Sequence, residues 1–475
     1  MATPRITELG IDEIKTIERI RAPAMTVLRR GESAVAVDSY GNIVAGPDPD
    51  HAAVLQAVVD RVNRKNAQIH LKGTFFLRKR LDLSGSQYLR FTGESNGATK
   101  LVIDNNYNVV FDISGSLYIT FDDLQFYIPP GRQPSYIIFA SRKVSEGVNG
   151  GYVFRNIKVH DEGGADVFYY GYGSEGVLFD TCWIDIAKRG IVFTACNIDN
   201  VSSPFTSPPP PPQSQTHVAI RDGHIVNWTK NACVELEGTA QMRIEGVYFG
   251  CDFYDPTNYA IRIRWHPQKN VSTEEISIEN NMFEKAVVAG AQPVSTGSVV
   301  FDLSIRKNRI AILQAGPIVN FSTPPTGIYG FVWDENNTMI AGHELRFDIL
   351  ADAYVHTHRT DPNKEPKVVV TGSVRRTFID AWDPANVSLP SERIGVVEVV
   401  THKALSKQTG TATIPAGQTS VTVTHSLRAT PTKVLVTPTA NVGAVWVENI
   451  TSTSFTIRCS TAPPADTTVY WYAEV

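Results

Sequence analysis

A short pattern of apolar and polar positions returns along the middle of the chain: an alternating apolar pair, two small or polar residues, then a second alternating pair. Its seven copies are ITFDDLQF, YVFRNIKV, VLFDTCWI, VAIRDGHI, MRIEGVYF, ISIENNMF and LSIRKNRI, with the second apolar position at Phe121, Phe154, Phe179, Ile220, Ile244, Ile278 and Ile305. Alternation sends every second side chain to one face of a strand, and the residues between (Asp122-Asp123, Arg155-Asn156, Asp222-Gly223, Glu279-Asn280) favour turns. Each copy therefore predicts a strand, a tight turn and a second strand.

Successive copies are 33, 25, 41, 24, 34 and 27 residues apart. A unit of about 25 residues with short strands cannot bury its own apolar face, so units must stack into a solenoid with one rung per copy. Longer gaps then mark loops at the corners of a rung. A leucine-rich solenoid would show a Leu/Asn consensus and helices, and a propeller would need four strands per repeat, so both are excluded. The first 48 residues carry a stripe of Ile11, Ile14, Ile17 and Ile20 and a hairpin signal in DSYGNIVA, and read as an attachment or capping segment. Asp50 then caps a helix, HAAVLQAVVDRV, with Val54, Leu55, Val58, Val59 and Val62 on one face. The solenoid is expected over 49–400. After SERIGVVEVVTHKALSKQ the texture changes to five or six alternating, Thr-rich strands, which predicts a separate β-sandwich over 401–475.

A capped helix leading through AQIHLKGTFFLRKRLDLSGSQYLRFTGE into such rungs resembles the pectate-lyase-like superfamily of right-handed parallel β-helices, which includes viral tailspikes and polysaccharide depolymerases. The resemblance covers roughly residues 50 to 375. It implies that the helix plugs the N-terminal end of the coil and covers its open edge. It also implies that each copy supplies the second and third strands of a rung, with the first strand lining the ligand cleft. The terminal sandwich looks like the end modules of viral fibres. The resemblance thus implies a polysaccharide ligand, a homotrimer, a place in the virion or outside the cell, and no cofactor. Because the scaffold carries hydrolases, lyases and inert adhesins alike, it fixes the fold and leaves those three activities open. The sharper motifs of the family (GHG, RIK, a paired aspartate on a first strand, a calcium-lyase triad) do not occur.

Composition narrows the partners. Hydrophobic residues at 42% and charged residues at 19% suit a folded chain, and a net charge of −4 gives no basic footprint for nucleic acid. No apolar run reaches the roughly 18 to 20 residues that span a bilayer, and the N-terminus lacks the apolar core of a secretory signal, so a soluble protein without membrane insertion is expected. The five cysteines (Cys182, Cys196, Cys233, Cys251, Cys459) lack the short paired spacings of a zinc site and read as buried thiols.

The first strands would be SYIIFAS, ADVFYYG, GIVFTAC, ACVELEG and YAIRIRW. With Val234 and Leu236 inward, Glu235 and Glu237 face out; with Ile261 and Ile263 inward, Arg262 and Arg264 face out on the next rung. Parallel strands stack about 4.8 Å apart, so each glutamate should meet an arginine across the ladder. One reading is a surface ion-pair ladder. The other is a carboxylate pair for glycoside cleavage, Glu235 or Glu237 as base or nucleophile, beside arginines that bind an acidic sugar. Two rungs earlier the alternation puts Asp166, Phe168 and Tyr170 on the same face, with Tyr172 behind; Asp166 would be the acid and the rings would stack on sugar or pack under a loop. The segments ASRKVSEGVNGG and ACNIDNVSSPFTSPPPPPQSQT, with five prolines at Pro208 to Pro212, would wall a groove or dock a neighbouring subunit. His356 with His358 is a weak metal pair, and the corners at His160–Asp161–Glu162 and Asp252/Asp255 are conceivable calcium sites outweighed by ordinary solvated turns. No metal is expected.

Overall fold

The computed structural model describes residues 24–141, 149–194, 215–229, 231–251, 259–264, 273–290, 299–322, 327–357, 364–401, 407–427 and 429–475. The chain divides into two compact units, Met1–Ile379 with Ser388–Glu398, and Asp380–Val387 with Val399–Val475.

The first unit is a right-handed parallel β-helix. Each rung contributes one strand to each of three stacks. Tyr136–Ser141, Val167–Tyr172, Arg189–Thr194, Val234–Glu237 and Tyr259–Arg264 belong to the first sheet, where the first strands were expected. The copies themselves supply the second and third sheets, as in Gly150–Arg155 followed by Lys158–Asp161. The seven aligned positions pair in an unbroken column, Phe121 with Phe154, then Phe179, Ile220, Ile244, Ile278 and Ile305. Each is at most 2% exposed. The column also extends past the copies, to Phe91 before them and Trp333 after them. Among the described residues no helix lies between the copies.

The turn between second and third strands follows from backbone geometry. Asp123, Asn156, Thr181, Asp222, Asn280, Lys307 and Glu335 all have φ between 49° and 58°, the left-handed region that Asn and Asp tolerate best. At the last three of these turns the next residue is a buried asparagine, and Asn281, Asn308 and Asn336 form a ladder. Asn308 Oδ1 accepts from the Asn281 backbone N–H at 2.9 Å while its Nδ2 donates to the Ile278 carbonyl at 2.9 Å. Asn336 repeats both bonds one rung on. The residue before each turn builds a charge ladder on the outer face of the second sheet: Asp122, Arg155, Asp180, Arg221, Glu245, Glu279, Arg306 and Asp334 follow one another in register.

The helix α1, His51–Arg61, is capped by Asp50, whose carboxylate accepts from the Ala53 N–H at 3.2 Å. Val54, Leu55, Val58 and Val59 are buried, while Val62 is the C-cap. The helix rests on Ser33–Asp38, Ile43–Asp48, Thr74–Leu77 and Leu81–Asp82, the strands at the N-terminal end of the coil. The hairpin signal is met: Asp38 Oδ1 accepts from the Tyr40 and Asn42 N–H groups, and the strands on either side pair antiparallel. The isoleucine stripe of the first segment lies outside the described residues. No described helix is long and apolar enough to cross a membrane.

In the second unit two three-stranded antiparallel sheets share one core. Ile414, Val469 and Trp471 from one meet Val423, Phe455 and Ile457 from the other, which is the packing of a β-sandwich.

Candidate functional site

Register alone assembles the outer face of the first sheet. One column runs Asp82, Asp112, Phe139, Tyr170, Val192, Glu235, Arg262, and the strand pairing of Glu237 with Arg264 continues a second column beside it. Glu235 therefore stands opposite Arg262, and their side chains pair at 3.3 Å. Arg264 Nη2 also reaches Glu235, at 3.0 Å, and a third guanidinium, that of Arg189, reaches it at 3.4 Å. Glu237 accepts from the Thr194 hydroxyl at 3.2 Å. Both glutamates are only 1% exposed, while the side chains of Arg189, Arg262 and Arg264 keep 15%, 26% and 25% of their surface. Solvent thus meets guanidinium groups anchored on carboxylates beneath them. Three arginines against two glutamates leave this cluster net positive among the described residues, and guanidinium forks held in this way suit carboxylate or sulfate groups.

Arg189 escapes strict alternation, which would send it inward with Ile191 and Phe193. The cause is a kink where the chain turns into the first sheet. Val167 packs with the outer cluster of Tyr136, Phe139 and Tyr170, whereas Phe168 and Tyr169, adjacent in sequence, both face the interior. Arg189 is the ladder partner of Val167 and shares its outward setting.

The same kink corrects the expected place of Phe168. Its ring packs edge-on against Phe126 and Phe154, at 5.5 and 6.2 Å, inside the coil, so it cannot line a sugar site. Tyr170 is on the outer face as expected but is 1% exposed, stacked on Phe139 at 5.5 Å and edge-on to Tyr136 at 4.9 Å. Asp166 is partly exposed and salt-bridged to Lys188. By register it lies two rungs back and four positions upstream of Glu235, about 16 Å between Cα atoms. The structure brings Glu235, Glu237, Arg262 and Arg264 together, adds Arg189, and leaves Asp166 apart.

Further along the first column, Asp112 is fully buried and its Oδ2 has no hydrogen-bond partner, while Oδ1 accepts from the Ser114 N–H at 2.9 Å. Burial above all, opposed by the Ser114 bond, raises its pKa above the usual carboxylate range. A raised folded value means the native state holds the proton longer than the unfolded chain does. Asp112 therefore weakens the fold increasingly as pH rises from 3.8 through its folded value. Asp112→Asn keeps the bond to Ser114 and is expected to raise the thermal midpoint at pH 7, with the gain vanishing below pH 3.8, where both states are protonated. A variant that melts lower than wild type at pH 7 would contradict this assignment.

The remaining candidates are structural or lie outside the described residues. Asp161 is buried and accepts from the N–H groups of Gly163, Gly164, Ala165 and Ala187, so it anchors a corner. His160 lies between Glu162 at 3.0 Å and Asp185 at 3.3 Å. His356 ends the charge ladder on Asp334 at 3.0 Å. His358, Asp252, Asp255, the polyproline segment and Cys196 fall outside. Burial pushes the Cys182 thiol up to about 12. Among the described residues no three His, Cys, Asp or Glu side chains are grouped to hold a metal.

No family model matches the chain, and no curated protein matches it either. Several solved structures follow a similar backbone course. The tailspike gp61 of Pseudomonas phage phi297 is 9% identical, with 89% of this chain and 92% of that one covered at a TM-score of 0.48. A DFA-IIIase from Arthrobacter chlorophenolicus A6 in complex with GF2 is 10% identical, covering 75% and 96% at 0.49. A mutant tailspike of E. coli bacteriophage HK620 in complex with a pentasaccharide is 10% identical, covering 98% and 99% at 0.39. At these values the description of the coil rests on its own strand pairing.

Proposed function

From a coil whose first sheet presents three guanidinium groups over two buried carboxylates, we propose a polysaccharide-binding β-helix that also cleaves its ligand, working as a virion spike. The observation that carries this reading is the convergence of Arg189, Arg262 and Arg264 on Glu235, with Glu237 next to it on the same strand. An elongated face with fixed cations fits an extended acidic glycan, which offers an anionic group at regular intervals. Glu235 orients the arginines. Glu237, two residues along and on the same side, is the base or nucleophile of this reading, and at 1% exposure it reaches a ligand only once the groups covering it move aside. Asp166 is too distant to be its acid partner without a rearrangement. The tailspike of similar course in complex with a pentasaccharide agrees with a saccharide ligand. Assembly as a homotrimer belongs to the same reading, by likeness to viral fibres.

The test is incubation with a panel of acidic and neutral polysaccharides, read by new reducing ends and by the absorbance of unsaturated uronides. Reducing ends alone indicate a hydrolase, and both signals indicate a lyase. Binding with neither signal would reduce the function to adhesion, and an inert protein with no binding would remove the proposal.

A further inference from the structure

A second surface, on the third sheet, has features that the arginine face does not explain. Its outer column runs Lys158, Trp183, His224, Tyr248, Met282 and Arg309, each opposite the next in register. Trp183 is 51% exposed and stands nearly parallel to His224, with ring centroids 4.3 Å apart and an interplanar angle of 23°. Tyr248 is turned 70° from His224. It lies across Gly250, where an added Cβ would come within 2.7 Å of the Tyr248 ring. The glycine thus lets the tyrosine lie down over the sheet beside the upright Trp183–His224 pair.

A cavity of about 330 Å³ opens at this ring, lined also by Asn280, Met282, Lys307 and Arg309. Arg309 is exposed and has no ion-pair partner among the described residues, and Lys307 has only a loose one, Glu335 at 3.9 Å. Carboxylates flank the strip at Asp185, on the rung of Trp183, and at Glu284, on the rung of Met282, while the two cations Lys307 and Arg309 line the cavity itself.

We propose that this strip is a second saccharide-binding site, in which a pyranose ring packs on Tyr248 against the His224–Trp183 wall and its anionic substituent is held by Lys307 and Arg309. The flat apolar faces suit the C–H face of a sugar, and the cations select an acidic one. From Trp183 to Arg309 the strip spans four ladder steps, about 19 Å, which is long enough for an oligosaccharide. The choice of ligand class rests on the proposed function, but the residues are on a different sheet from Glu237.

The experiment is affinity electrophoresis of the full chain in gels containing polygalacturonate, hyaluronan or dextran, comparing wild type with Tyr248→Ala, Arg309→Gln and Glu237→Gln. At least one acidic polysaccharide should retard wild type. Tyr248→Ala and Arg309→Gln should each weaken that association about tenfold, and dextran should have no comparable effect. Arg309 is exposed, so its variant keeps the test open if Tyr248→Ala misfolds. Retention undiminished in both strip variants overturns the site, as does equal retardation by dextran or no retardation of wild type. Loss confined to Glu237→Gln overturns the strip and leaves the proposed function standing. A change in sedimentation of Tyr248→Ala would instead mark the strip as a contact between copies, and so overturn it too.

Discussion

Replacing Phe154 by alanine is expected to destabilise the coil by about 3–5 kcal/mol, the range for removing a fully buried aromatic ring. Phe154 is 0% exposed and lies in the middle of the interior column. Its ring stacks on Phe121 at 5.7 Å and on Phe179 at 4.7 Å, and meets Tyr169 edge-on at 5.4 Å. Alanine would leave a void one ring thick between Phe121 and Phe179, and the ladder bonds above and below hold the backbone in place, so the cavity cannot collapse freely. Phe301→Ala, on the outer side of the same sheet at 39% exposure, is the control and should change stability by no more than about 0.5 kcal/mol. Equilibrium denaturation of both variants checks the pair. Equal effects would mean that the aligned column is not the core.

The second large effect concerns the arginine cluster. Glu235→Gln removes the charge on which three guanidinium groups converge. Breaking a buried ion pair from one side costs about 3–5 kcal/mol, and because these arginines keep 15–26% of their surface, the low end of that range or somewhat less is expected, about 2–3 kcal/mol. Glu237→Gln should cost less, since an amide oxygen can still accept from Thr194. Denaturation midpoints that fall equally for the two variants, or not at all, would show that Glu235 does not organise the cluster.

The interior was legible because it obeys one rule. Phe121 through Ile305 hold the same position in each copy, and a parallel ladder superposes identical positions, so the recurring copies predict the column. The pairing of Glu235 with Arg262 and of Glu237 with Arg264 follows from the same rule, and the register has both. What alternation could not reveal lies at corners. The kink at Val167–Tyr169 turned Phe168 inward and Arg189 outward, and a kink has no period to detect. Burial is equally hidden from alternation: strand parity gives the side of a residue but not what covers it, so it sends Tyr170 and both glutamates to the outer face without showing that each is only 1% exposed. Two further signals lie in the sequence. LDLSGSQYLRF and FDISGSLYITF are a repeat one rung apart, which places Asp82 beside Asp112. Trp183, His224 and Tyr248 occupy the same position in three successive copies, which predicts their aromatic row.

Catalysis by Glu237 is decided by the cleavage rate of Glu237→Gln beside wild type, on whichever polysaccharide the panel shows to be cut, with thermal unfolding recorded for both. A fall of about 10²–10⁴-fold is expected, the size of a lost general base, with an unfolding transition close to that of wild type. Full activity in Glu237→Gln and in Glu235→Gln alike would contradict it, and would reduce the glutamates to an ion-pair ladder beneath the arginines.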